Sequence, residues 1–183
     1  MSLLGRLLAN RRAGDTHLAW NRPNLDGPES LTLTSRAFSD GGSLPLEQCA
    51  KPIGGGDVSP DLAWTALPPG AVELLLVVED IDVPIGKPAV HCLALIDPAA
   101  GPLEPGALAA KQPGPGVQVL RSTIGRGYHG PAPVKGHGPH RYIFQLFALE
   151  RPVGSTTSRP RTLLPTVTPP VLGRGRLTGV FER

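Results

Sequence analysis

Several patterns are scarce or absent in this chain of 183 residues, and each absence excludes a class of protein. The two cysteines, Cys49 and Cys92, lack a metal-ligand spacing, so they are interpreted as reduced thiols, and neither a metal site nor a cofactor is predicted. The apolar run near the amino terminus is too short for a signal peptide or a membrane span, which predicts a cytoplasmic protein. Residues 111–183 hold eleven Lys/Arg against two Asp/Glu, but no aromatic-interleaved basic patch occurs, so nucleic acid is not an expected partner.

The composition predicts one domain that spans residues 1–183. Hydrophobic residues make up 40% of the chain and no long polar tract interrupts them, which permits a single core. Residues 1–27 are predicted to form an amino-terminal extension, a short helix followed by an irregular segment. We expect the leucine face of this helix to be buried against the domain or a second subunit, which leaves a homodimer open and limits membrane contact to a peripheral one. This face consists of Leu3, Leu4, Leu7 and Leu8.

A loop that leads into an apolar strand is predicted for residues 127–149. After His140, successive side chains alternate between two faces at the period of two residues that is typical of a strand. One face holds Tyr142, Phe144, Leu146 and Ala148, and the other holds Ile143, Gln145, Phe147 and Leu149. Upstream, glycines and prolines exclude regular structure, so a shaped loop brings His140 beside Tyr142. An ordinary connecting loop is the alternative on this segment alone.

A second group of polar residues is predicted at one end of two apolar strands, residues 74–78 and 90–96. Asp80 and Asp82 follow the first strand and share one face if the chain stays extended. His91 opens the second strand, and the alternation places it on the face of Leu93 and Leu95. Carboxylates at the edge of apolar strands need partners, so we expect them to bind loop amides, imidazoles or a ligand; turn capping is the alternative.

These motifs together resemble the phosphatidylethanolamine-binding protein family, also called the Raf kinase inhibitor protein-like family, and its compact bacterial branch in particular. The family's Asp-x-Asp-x-Pro element is similar to residues 80–84 (DIDVP), and its Gly-x-x-Gly-Pro-x-Pro loop with Pro-His-Arg-Tyr is similar to residues 127–133 and 139–142. Residues 59–64 (SPDLAW) resemble a third element. Ala89 and Val90 replace the aromatic pair that precedes the pocket histidine in the family, which predicts an altered pocket wall.

The resemblance implies a mostly β fold, a Greek-key-like β-sandwich of antiparallel sheets with few short peripheral helices. It also implies a pocket for a small anion such as phosphate, phosphoethanolamine or a carboxylate. The implied ligand-binding residues are Asp80, Asp82, Pro84, His91, Gly130, Pro131, His140 and Tyr142. Among these, the carboxylate of Asp80 is expected to favour the imidazolium forms of His91 and His140, which would donate to the anion at the pocket entrance.

Two other functions stay open at this point. A hydrolase could use an Asp/His pair, but the nearby candidate nucleophiles, Ser59 and Cys92, have no nucleophile-elbow context, so the chain is predicted not to be an enzyme. A regulatory protein could bind a kinase or a protease and use the pocket as a switch.

Overall fold

A computed structural model describes residues 3–154 and 159–183, without the side chains of residues 3, 4 and 6. The described chain is mostly β, with eight strands, two short α-helices and several 3-10 turns. The strands are β1 (Leu33–Thr34), β2 (Gly42–Ser43), β3 (Ala63–Trp64), β4 (Glu73–Asp80), β5 (Ala89–Ile96), β6 (Val117–Val119), β7 (His140–Leu149) and β8 (Val171–Phe181), and the helices are α1 (Leu3–Leu8) and α2 (Pro160–Leu163). The 3-10 turns are Ala19–Asn21, Pro23–Leu25, Leu46–Gln48, Lys51–Ile53, Pro98–Ala100 and Leu164–Thr166.

The strands form two sheets, as the predicted sandwich requires. Six strands make the larger sheet in the order β2-β8-β7-β4-β5-β6, and β1 pairs with β3 in a smaller one. Among the described strands, the predicted antiparallel pairing holds except at the two-residue edge pair of β2 with β8, which runs parallel at Gly42 and Gly179. The long strands β4 and β7 lie side by side at the centre of the larger sheet.

The alternation predicted for β7 is confirmed, because the larger sheet is covered on both faces. One core contains Tyr142, Phe144, Leu146 and Ala148, together with leucines of β1 and of the segment next to β2. The second core contains Ile143, Phe147 and Leu149. Even the polar member of the second face, Gln145, is fully buried, where its amide donates to Glu79 at 2.9 Å. A continuous apolar strand is the pattern that a doubly covered sheet demands.

Part of the predicted amino-terminal extension belongs to the second core. Leu18, Trp20 and Leu25 are buried there beside α2 residues. Arg174 of β8 lies over the Trp20 ring at 4.2 Å from its centroid and donates to the Trp20 backbone oxygen at 2.9 Å. These residues therefore close one face of the sheet.

Leu7 of α1 does not pack on the domain, because its side chain is 73% exposed, so burial of the leucine face against a second subunit stays a prediction. Leu8 is half-buried, and the side chains of Leu3 and Leu4 lie outside the described residues. α1 also packs through Gly5, where a Cβ atom would lie 2.8 Å from the carbonyl carbon of Gly136. Backbone contact with the loop before β7 therefore helps to position α1.

Candidate functional site

A pocket of about 420 Å³ lies at the end of the larger sheet where β4 ends and where β5 and β7 begin. Asp80, the last residue of β4, pairs with Ala89 on one side and with Tyr142 on the other. Because Asp80 and Tyr142 are on the same face of the sheet, both point to the loop that precedes β7. Among the implied site residues, those that line the pocket are Asp80, Pro84, His91, Gly130, His140 and Tyr142.

A β-bulge directs His91 into this pocket. Val78 pairs with Cys92, but the next residue, Glu79, pairs with Val90, so His91 is an extra residue in β5. A bulge shifts the alternation by one, and the predicted placement of His91 on the face of Leu93 and Leu95 is wrong for this reason. The His91 ring instead meets the Tyr142 ring edge-on, with centroids 5.1 Å apart.

Burial keeps His91 in its neutral form, contrary to the expectation from the sequence. Burial lowers the pKa of His91 below its ordinary value, although a hydrogen bond to the His129 backbone oxygen and the nearby Asp80 carboxylate act in the opposite direction. The Nδ1 atom donates to that oxygen at 2.7 Å, which places the hydrogen of the neutral ring on Nδ1. The Nε2 atom is then an acceptor and becomes a donor only when the ring is protonated.

Asp80, His140 and His137 form a buried chain of hydrogen bonds. Nδ1 of His140 lies 2.7 Å from Oδ2 of Asp80, and Nε2 of His140 lies 2.7 Å from Nδ1 of His137. Nε2 of His137 donates to the backbone oxygens of Leu8, at 2.8 Å, and Arg11, at 3.1 Å. The chain thus connects the pocket to the segment that follows α1.

His140 has no nitrogen left for a ligand in this arrangement. Both ring nitrogens bind other side chains, and His140 and Asp80 are each only 2% exposed. The expectation that both lie at the pocket entrance, with His140 as a donor to an anion, is wrong because they are buried members of a closed chain. Their contribution to the pocket is to support its floor.

Asp82, in contrast to Asp80 and His140, does not line the pocket. Its carboxylate accepts from the backbone N–H, Nε and Nη2 of Arg141, each at 2.8 Å, and from Nη1 of Arg12 at 2.9 Å. Burial by itself would raise the pKa of Asp82, but the hydrogen bonds from Arg141 outweigh burial, so the pKa lies below its ordinary value. Asp82 therefore joins the segment after α1 to the start of β7.

Gly130 and Pro131 fix the loop beside the pocket through hydrogen bonds of their backbone. The N–H of Gly130 donates to Oδ1 of Asp57 at 2.8 Å, and the backbone oxygen of Pro131 accepts from the N–H of Ala50 at 3.0 Å. Gly130 lines the pocket and Pro131 does not. The N–H of Gly130, which the resemblance implies as a ligand-binding residue, is thus already occupied by Asp57.

Asp57 is a pocket residue that the sequence did not reveal. Among the described residues it is the one non-glycine position with positive φ, at 55°. Such a conformation costs about 1–3 kcal/mol and persists where the surroundings hold it. Here the Asp57 carboxylate holds both Gly130 and the backbone N–H of Lys51. The only signal in the sequence was its position directly after three glycines, residues 54–56.

Two buried polar atoms at the pocket have no hydrogen-bond partner within the described chain. They are the hydroxyl of Tyr142 and Nε2 of His129. Burial raises the pKa of Tyr142, so its hydroxyl keeps its proton and can donate. His129 and His137 were missed because they lie inside the motif loop, where no periodicity shows which side chains point inward. An unpartnered buried donor marks the place where a ligand oxygen would bind.

Three comparisons with known proteins agree with one another. The sequence model of a family described as phosphatidylethanolamine-binding protein matches residues 34–182. A Mycobacterium tuberculosis protein named "Putative lipoprotein LppC" is 36% identical over 159 residues, which cover 84% of this chain and 73% of that protein. The crystal structure of Escherichia coli YbcL, described as a member of the mammalian PEBP family, has a TM-score of 0.75 at 25% identity and covers 84% of this chain and 98% of its own.

The same fold occurs in a protein solved with a protein partner. The carboxypeptidase Y inhibitor, complexed with its cognate proteinase, has a TM-score of 0.50 at 19% identity and covers 83% of this chain and 82% of its own. This likeness concerns the fold alone.

The predicted cytoplasmic location is contradicted by the similarity to a protein that is named a lipoprotein, since lipoproteins are anchored to membranes. The signal used for the prediction, a short apolar run, was insufficient. Within the part of the chain that the structure describes, no helix has the length and apolar character to cross a bilayer.

Proposed function

The chain belongs to the phosphatidylethanolamine-binding protein family, and from this premise we propose that it is a binding protein whose pocket takes a small ligand with an anionic group, such as phosphate, phosphoethanolamine or a carboxylate. The observation that carries the proposal is the Tyr142 hydroxyl, a buried group that lines the pocket and makes no hydrogen bond of normal geometry, although the Asp80 carboxylate lies near enough to raise its pKa. Leaving such a group unpaired costs about 1–3 kcal/mol, which a ligand oxygen would recover.

The charge of the pocket limits how an anion binds there. None of the described lining residues is a lysine or an arginine. The groups that can donate to ligand oxygens are the Tyr142 hydroxyl, Nε2 of His129 when it carries the ring hydrogen, and Nε2 of a protonated His91. Asp57 provides a negative charge at the same pocket, which suits the ammonium group of phosphoethanolamine.

Anion binding is expected to strengthen as the pH falls from about 8 to about 6, because His91 is neutral at the upper end and must take up a proton to donate from Nε2. The sign follows from its depressed pKa. Without a ligand, His91 stabilises the fold above its unfolded pKa and loses that contribution as the pH falls, so an anion that binds the protonated ring opposes the loss. Calorimetric titration with sulfate, which keeps its charge over this range, measures the affinity and the proton uptake.

His91→Asn keeps a polar side chain that does not titrate, and in this variant the pH dependence of sulfate affinity should disappear. His17→Asn, at an exposed histidine, is the matched control and should behave as the unmodified protein. An affinity that is independent of pH in the unmodified protein, or unchanged in His91→Asn, would contradict the proposal.

We also propose that the protein is not a hydrolase. Burial raises the pKa of Cys92 to about 12, which keeps the thiol protonated, and Oγ of Ser59 accepts from the Leu108 backbone N–H at 3.2 Å. Neither residue lines the pocket. The expected result is no turnover of p-nitrophenyl phosphate or of peptide substrates above the buffer rate. Turnover that is lost in His91→Ala would instead establish an enzyme.

A regulatory contact with a protein such as a kinase or a protease is the second candidate. The fold shared with an inhibitor that binds a proteinase supports it at the level of the fold. The buried polar atoms without partners favour the small ligand as the first candidate, since concave pockets of about this volume typically bind small ligands.

A further inference from the structure

A second cavity, of about 540 Å³, lies beside the pocket and is lined by arginines. One wall is the turn at residues 121–125, and the other is residues 159–162. Arg121, Arg159 and Arg161 line it, and no Asp or Glu is among its described lining residues. Ala89 and Ile124 line both cavities, so the two are neighbours.

The turn that carries Arg121 is held rigidly. Oγ of Ser122 accepts from the backbone N–H groups of Ile124, at 3.2 Å, and Gly125, at 3.0 Å. Oγ1 of Thr123 accepts from the Val90 backbone N–H at 2.8 Å and donates to the Val90 oxygen at 2.9 Å. The wall is therefore fixed to β5, which reduces the entropy that a ligand would lose in ordering it.

The three guanidinium groups are not balanced by nearby carboxylates. In residues 3–154 and 159–183, the ion pairs of arginine involve Arg12, Arg36, Arg141, Arg151 and Arg174. Like charges around one cavity repel each other, and a bound anion converts that repulsion into attraction. The planar guanidinium matches phosphate oxygens in a bidentate way, so phosphate suits this set better than a single-point anion.

The rest of the lining adds an apolar requirement. Ile85 and Ile124 border the cavity and are 53% and 51% exposed, respectively, so they present apolar surface beside the arginines. A ligand that covers them while its charged end meets the arginines has both an anionic and an apolar part.

We propose that this cavity is a second binding site, which takes the dianionic phosphate of a phosphomonoester with an apolar substituent. Arg121, Arg159 and Arg161 bind the phosphate, and the substituent lies on Ile85 and Ile124. The site is separate from the pocket of His91 and Tyr142 and does not depend on the function proposed for that pocket.

The test uses n-hexyl phosphate as the probe and calorimetric titration of the full chain. The double variant Arg121→Gln/Arg161→Gln should lower its affinity by about tenfold or more, as expected for the loss of charged hydrogen bonds. Arg151→Gln, an exposed arginine outside the cavity, removes the same type of charge and should leave the affinity unchanged. His91→Asn should also leave it unchanged, which separates this site from the pocket.

Several results would overturn the proposal: an unmodified protein that does not bind n-hexyl phosphate, a double variant that binds it equally well, or an equal loss in Arg151→Gln. A loss confined to His91→Asn would assign the probe to the pocket and also overturn it.

Vesicles distinguish the source of the phosphate. Co-sedimentation with phosphatidate vesicles that the double variant loses supports a lipid, and binding of n-hexyl phosphate alone supports a soluble phosphomonoester.

Discussion

Replacing Asp80 with alanine is expected to lower the free energy of unfolding by about 2–4 kcal/mol, because the change leaves several buried polar groups without a partner. Oδ1 of Asp80 accepts from the Asp82 backbone N–H at 2.8 Å, and Oδ2 binds His140. Without the carboxylate, Nδ1 of His140 and the backbone N–H of Asp82 lose their buried acceptor. Urea denaturation followed by circular dichroism measures the loss.

Asp80→Asn is the matched control for this prediction. The amide oxygen can still accept one hydrogen bond, but the negative charge of the carboxylate is gone. We therefore expect a smaller loss of unfolding free energy than in Asp80→Ala. If Asp80→Ala were as stable as the unmodified protein, the chain from Asp80 to the Leu8 backbone would not form in solution. The variant also shows why Asp80 and His140 are poor probes of ligand binding: their removal changes the support of the pocket together with its surface.

The fold was predictable where burial imposes a simple pattern. In β7 both faces of the sheet are covered, so the alternation of Phe144 and Phe147 between two cores follows from a period of two. The parallel pairing of β2 with β8 was not predictable, since two residues carry no periodicity. The local sequence pattern thus predicted the central strands but not the pairing of the edge strand β2.

The candidate site was predictable in its residue types but not in their roles. Asp80 and Asp82 are two residues apart and look equivalent in the sequence. In the structure one supports the pocket and the other binds Arg141 and Arg12. The orientation of His91 depends on a bulge, which is a property of the pairing between β4 and β5 and not of either strand alone.

Residues that act through long-range contacts were missed for the same reason. Asp57 reaches Gly130, and His137 reaches the segment after α1, across separations that no local motif encodes. The resemblance to the family identified the loop before β7 as part of the site. Only the three-dimensional structure showed which N–H groups of that loop already have a hydrogen-bond partner.

The second large loss of stability is expected for Gly130→Ala, because Gly130 packs closely against backbone atoms at the wall of the pocket. A Cβ atom at Gly130 would lie 2.4 Å from the backbone oxygen of Gln48 and 2.6 Å from the backbone nitrogen of Ala50. Backbone atoms cannot move aside as the end of a flexible side chain can, so the wall must shift. We expect a loss of about 3 kcal/mol in unfolding free energy, at the upper end of overpacking costs.

The same shift should weaken sulfate binding in the pocket, because Gly130 holds Asp57 through its N–H and lines the cavity beside Tyr142. Gly86→Ala is the control: nothing lies within 4 Å of its Cβ position, so it should keep both stability and binding. Thermal unfolding with and without sulfate measures the two effects together, since a ligand that binds the folded state raises the melting temperature. A Gly130→Ala protein with an unchanged melting temperature would mean that the loop is not packed against residues 48–50, and the pocket described here would lose that wall.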